Sequence, residues 1–272
     1  VKHNPPGDGT GVYPEPGRWG GYTRGAMTTP FAPPAVPAAA LAPTLIRQGY
    51  AVLDAAAVRD WLGLGADALA ALNPAWDDLP LDEYLKDGGR YRRRRHGCFI
   101  VEGDRIAPVP PRAHYQPLEY NALHGGMRRW FAPLTDALLA QPAWPRLLQR
   151  TAAAASALRG AQPWYVEAHP FRIDTTGGIG RPTPEGAHRD GVDLVAVFLV
   201  GRHRIKGGES RVFEADGPNG QRFTLTEPWS ALLLDDTRVI HETTPIQPAA
   251  PDELGWRDTL VLTCRAGGFL GD

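Results

Sequence analysis

The spacing of hydrophobic positions changes along the chain. Between residues 36 and 73 they recur every three to four places, the period of a helix face packed on a core. This predicts a helix over roughly 36–47, a short strand Gly49-Tyr50-Ala51-Val52-Leu53, and a helix over 54–73 that carries Trp61 and stops at Asn73-Pro74. Residues 90–101 alternate and predict a strand, and RLLQRTAAAASAL (146–158) predicts a helix ended by Gly160. From 164 onward the texture changes to short β-rich runs: WYVEAHPFRID, DLVAVFLV, SRVFEA, RFTLT, SALLLDD, RVIHETT and DTLVLTC. Runs spaced by roughly ten residues and separated by Gly and Pro indicate a sandwich or barrel. Helices first and strands later make the fold α+β, with a β-barrel core flanked by N-terminal and mid-chain helices.

Composition narrows the classes. Hydrophobic residues make up 43% and charged residues 22% of 272, ordinary globular usage that excludes a fully disordered chain. No apolar run is long enough for a transmembrane helix, and Pro5, Pro6, Asp8 and Glu15 stand where a signal peptide needs an apolar core. A net charge of -1 argues against a nucleic-acid partner, and neither a nucleic acid nor a membrane is expected. Cys98 and Cys264 are far apart with no CxxC, which fits a reducing cytoplasm. Only three of the 29 basic residues are lysines, so a lone arginine carries little weight without context. Residues 1–44 form a Pro/Gly-rich, partly irregular extension before a domain over 45–272. Within it, 1–26 reads either as an upstream segment before a natural start at Met27 or as an arm packing through Tyr13, Trp19 and Tyr22.

The chemistry concentrates in PTPEGAHRDGVD. His188 and Asp190 stand two apart, so on a strand both face one side and can meet one ion. His241, in RVIHETTP, lies one or two hairpins on. Two His and one carboxylate form the facial triad of non-haem Fe(II) oxygenases, with three positions left open; zinc hydrolases use the same donors. Arg257 separates the two. It opens the last strand run, where a guanidinium can clamp a carboxylate, with Thr259 on the same face. That suits the distal carboxylate of 2-oxoglutarate, and a zinc hydrolase has no use for it.

At this point the sequence resembles the bacterial 2-oxoglutarate/Fe(II) dioxygenases that hydroxylate free amino acids, a group that includes isoleucine dioxygenase. The matching stretches are DEYLKDGGRYRRRR, HYQPLEYN, GGMRRWFAPL, WYVEAHPFRID, RPTPEGAHRDGVDLVAVFLVGRHRIKGGESRVF, TLTEPWSALLLDDTRVIHETTPI and GWRDTLVLT, which together span roughly 45–265. The resemblance implies a double-stranded β-helix (a jelly roll, cupin-like). It makes His188, Asp190 and His241 ligands of Fe(II), and Arg257 the binder of 2-oxoglutarate. It implies C–H hydroxylation of a free L-amino acid by O2, with release of succinate and CO2; ascorbate is the expected reductant in vitro. Desaturation or ring closure at the same iron, or a non-catalytic cupin-like binding protein, are the alternatives.

Several further residues are candidates. Arg92 and Arg94 share one face of an alternating strand and match the family's YR-x-R pattern, which suits a substrate carboxylate. Gln116 and Asn121 sit in a polar-aromatic loop that can serve an amino-acid substrate. His169 is expected to contact 2-oxoglutarate rather than iron, because iron must keep open positions. Arg172 and Asp193 are expected to complete the substrate's charge partners, with Glu209 reaching in from the KGGES turn.

Overall fold

The computed structural model describes residues 31–121 and 123–271. Tyr13, Trp19, Tyr22 and Met27, and with them the expectations for residues 1–26, lie outside that range. The α elements are α1 (Leu41–Gln48), α2 (Ala55–Leu62), α3 (Ala66–Ala70), α4 (Asp136–Leu139) and α5 (Ala143–Arg159). The strands are β1 (Tyr50–Leu53), β2 (Arg92–Arg94), β3 (Gly97–Glu102), β4 (Arg105–Val109), β5 (Trp164–Asp174), β6 (Leu194–His203), β7 (Ile205–Gly207), β8 (Ser210–Glu214), β9 (Gly220–Phe223), β10 (Ser230–Asp235), β11 (Val239–Thr243), β12 (Ile246–Pro248) and β13 (Trp256–Ala266). Among the described residues they form an eight-stranded sheet in the order β1-β10-β6-β13-β5-β3-β4, with β2 also on β5. Two smaller sheets, β11-β8-β9 and β12-β7, accompany it. The mixed α/β chain with antiparallel sheets matches the expected jelly-roll core.

Alternation along the strands decides what each layer holds. On β13, Leu260, Leu262 and Cys264 point to the helices, and on β6 so do Leu194, Ala196 and Phe198. They pack with Leu45, Leu62, Leu147 and Leu148 of α1, α2 and α5 into the main core. The opposite face of β6 offers Val195 and Leu199, which join Val212, Phe223 and Val239 of the small sheet in a second core. One end of the space between the sheets stays open and becomes the site.

Three expected elements are refined. The helix over 54–73 is two, because Gly63 ends α2 in the left-handed region at φ 65°. The strand over 90–101 is split into β2 and β3, both on β5. The core also begins before residue 45: Ala35 bridges to Val52 and Leu41 is buried.

Candidate active site

His241 lies inward on β11, and its backbone pairs with that of His188 in both directions. This bridge fixes the loop 182–193 against the small sheet. The rings of His188 and His241 have centroids 4.6 Å apart. His188 Nε2 is 3.5 Å from Asp190 Oδ1, and His241 Nε2 is 3.9 Å from Asp190 Oδ2. These gaps are long for hydrogen bonds, yet two metal–ligand bonds of about 2.1 Å can span them. His188 Nδ1 donates to the Gly186 carbonyl at 3.0 Å, so its Nε2 lone pair is free to face an ion, as metal-bound imidazoles do. In the protein alone, burial opposes charge on His188, but Asp190 and Glu185 overcome it and push the pKa up to about 10. Burial and that neighbouring cation push His241 down to about 4. A divalent ion suits the place of that proton: the donor set fits the metal.

Asp236 secures the loop from behind. Its carboxylate accepts the backbone N–H groups of Asp190, Gly191 and Val192 at 2.8–3.1 Å. The sequence reading missed it; its signal was the doubled acid that follows the buried run SALLL.

A cavity opens from this triad between the sheets. Arg257 and Thr259 line it from β13, both 3% exposed. Arg257 forms no ion pair among the described residues, and its Nε has no hydrogen-bond partner. Burial first, then Arg202, lower its pKa to about 10, which leaves it charged at neutral pH. Arg92 and Arg94 enter from β2 as their shared face predicts. Arg92 is tied to Asp82 at 2.8 Å. Arg94 sits between the rings of Phe131 and Phe171, 3.9 and 4.3 Å from their centroids, and forms no ion pair with a carboxylate among the described residues. Gln116 donates to Asp190 Oδ1 at 2.9 Å and accepts from Asn121 and from Arg129 at 3.1 and 3.0 Å.

Three expected residues do not line the cavity. His169, Phe171 and Ile173 of β5 face it, so Arg172 between them points the other way, to a two-pronged pair with Asp258 at 2.7 and 2.8 Å. Asp193 ends the loop outside the barrel mouth. It accepts from the Ala266 N–H at 2.8 Å and faces Arg159. Glu209 likewise turns to Arg211, at 2.8 Å. Arg129, Glu167, His114 and Glu185 line the cavity instead. Glu167 and His169 had the same two-residue spacing as His188 and Asp190. Arg129 and Glu185 lie in irregular segments, where no period marks a face.

His96, His114 and His169 converge on Glu167 Oε2 at 3.1, 2.6 and 3.4 Å. The group has the composition of a metal site. Its protons argue otherwise. Arg94 Nη2 lies 2.6 Å from His169 Nδ1, and arginine only donates. Neutral His169 therefore carries its proton on Nε2, facing Glu167, where a ligand needs a lone pair. The cluster is a carboxylate held by imidazole N–H groups and a brace for Arg94.

Residues 73–263 match the family model described as 2OG-Fe dioxygenase. The chain belongs to the 2OG-Fe dioxygenase family. The structure of a bsmA homolog from Methylobium petroleophilum PM1 is 52% identical over 86% of this chain and 95% of that one, with a TM-score of 0.82. IDO from Bacillus thuringiensis is 17% identical over 84% of this chain and 98% of its own, at 0.68. The Fe(II)/(alpha)ketoglutarate-dependent dioxygenase TqaL is 21% identical over 84% and 86%, at 0.63. These two share the fold. A search of curated proteins gave no match. The enzyme is a 2-oxoglutarate-dependent dioxygenase, and the triad described above is its iron site. Among the described residues no helix is long and apolar enough to cross a membrane.

Proposed function

We propose that the enzyme hydroxylates a C–H bond of a free L-amino acid. The observation that carries this reading is a pair of buried guanidinia, Arg94 and Arg129, which line the iron cavity and form no ion pair with any described carboxylate. Such charge is costly to bury unless a ligand completes it, and a small carboxylate fits a guanidinium fork. The resemblance of the chain to free-amino-acid hydroxylases supports the same class.

In this reading His188, Asp190 and His241 hold Fe(II), which with 2-oxoglutarate and O2 supplies the oxidant. Arg257 and Thr259 bind the far carboxylate of 2-oxoglutarate at the dry end of the barrel. Arg94, braced by His169, and Arg129 hold the substrate's carboxylate, and Gln116 ties Arg129 to Asp190. The fixed frame sets which carbon is presented, because ångström shifts change rates strongly. Cys98 and Cys264 are buried thiols, which suits the cytoplasm assigned by this reading. The test compares the amino acid oxidised best with its methyl ester. The ester should lose about tenfold or more in kcat/KM; equal turnover of ester and acid would contradict the reading.

A further inference from the structure

We propose that Glu185 receives the ammonium group of the substrate, opposite Arg129 as receptor of its carboxylate, and so restricts the enzyme to zwitterionic α-amino acids. This rests on the amino-acid reading above.

Glu185 stands in the turn Pro184-Glu185-Gly186, with Gly186 at φ 83°. Its side chain is 11% exposed. Oε1 accepts from Asn121 Nδ2 at 3.4 Å and lies 3.7 Å from His188 Nε2. Oε2 is buried and has no partner. A dry carboxylate oxygen without a donor is costly, so Glu185 Oε2 itself is one hydrogen-bond donor short. The protein does not supply it. Arg92 is tied to Asp82, Arg94 to His169 and Arg129 to Gln116, and their remaining buried nitrogens, Arg92 Nη2, Arg94 Nε and Arg129 Nε, stand unpartnered rather than bonded to Glu185. None of them forms an ion pair with Glu185. Ionised 2-oxoglutarate and O2 offer only acceptors. The substrate is then the reactant that can bring the donor, and an ammonium brings both donor and charge.

Arg129 and Glu185 hang on one pair of side-chain amides. Asn121 Nδ2 donates both to Glu185 and to Gln116 Oε1, the oxygen that also accepts from Arg129. The Glu185 charge works against the burial that lowers the Arg129 pKa, and the two form no ion pair among the described residues. One small zwitterion can answer both. Its carboxylate meets the unpartnered Arg129 Nε and its ammonium meets Glu185 Oε2. Fourth-ligand duty at iron is the rival role. Against it, Glu185 does not share the close mutual spacing of His188, Asp190 and His241.

The test screens the iron-loaded enzyme against the twenty free L-amino acids, then takes the one oxidised best and the same acid without its amino group. Glu185→Gln is expected to raise KM for that amino acid about 10- to 100-fold. KM for 2-oxoglutarate and the iron-to-protein ratio should stay unchanged, and the preference over the amine-free acid should shrink in step. Glu185→Asp keeps the charge but withdraws it by one methylene. It should raise KM less, which keeps the test open if the Gln variant folds poorly. An unchanged KM and preference in Glu185→Gln would overturn the assignment of Glu185 alone. A fall in iron content would also overturn it, making Glu185 a metal ligand. Oxidation of none of the twenty by the wild type would sink the amino-acid reading itself, and this inference with it.

Discussion

Arg257 shows how little is needed once a charge is dry. Arg257 is 3% exposed, shares one face of β13 with Thr259, and forms no ion pair among the described residues. Arg257→Lys should raise KM for 2-oxoglutarate about 10- to 100-fold while iron content holds, since a point charge replaces a planar fork. An unchanged KM would move the co-substrate elsewhere. His114 supplies a pH test. Burial, only partly offset by Glu167, lowers its pKa from 6.5 to about 4. Between those values the unfolded chain binds a proton that the folded one refuses, so this residue's contribution to stability falls as pH falls. Above pH 6.5 both states are neutral there. Relative to His114→Gln, the wild type should lose roughly 2 kcal/mol from pH 7 to pH 5, read by denaturant unfolding. A pH-independent difference would mean His114 is not held neutral. Arg257 and Thr259 were legible because a two-residue spacing places both on one face of β13; His188 and Asp190 were legible as a short motif, although they meet in the loop 182–193 rather than on the strand their spacing suggested. Arg172 and Asp193 misled because composition names a charge without naming the face it occupies.

Strand parity carries the same lesson at the next scale. β5 and β13 send odd positions (His169, Phe171, Thr259, Val261) to the cavity and even ones (Ala168, Leu260, Leu262) to the helices. Stability and chemistry are therefore separable by face. Leu148→Ala, in the fully buried stripe of α5, should cost about 2–5 kcal/mol in unfolding. It should leave both KM values near wild type; a large change in KM would couple α5 to the site. Periodicity revealed most helices and seven of the nine described strands from β5 onward, missing the three-residue pair β7 and β12. It did not reveal the break after Leu62, where one glycine in the left-handed region stops a run whose apolar spacing continues. Nor did it reveal β4, whose residues Arg105–Val109 are mostly exposed and leave a weak pattern.

Over the whole molecule, the sheets serve as a frame that brings distant segments to one cavity: β2, the 114–129 loops, β5, the 182–193 loop, β11 and β13. Local pattern predicts such strands but not their order, which is why β1 beside β10 and β6 beside β13 emerge only from the fold. The account's central claim is oxidation of a free amino acid at this iron. It is tested most directly by incubating the enzyme with Fe(II), 2-oxoglutarate, ascorbate and each of the twenty free L-amino acids, then weighing the products by mass spectrometry. One amino acid or a few related ones should gain a single oxygen in step with succinate, and His188→Ala and His241→Ala should abolish the gain. No gain of oxygen on any of them, or an undiminished gain in both variants, would contradict it.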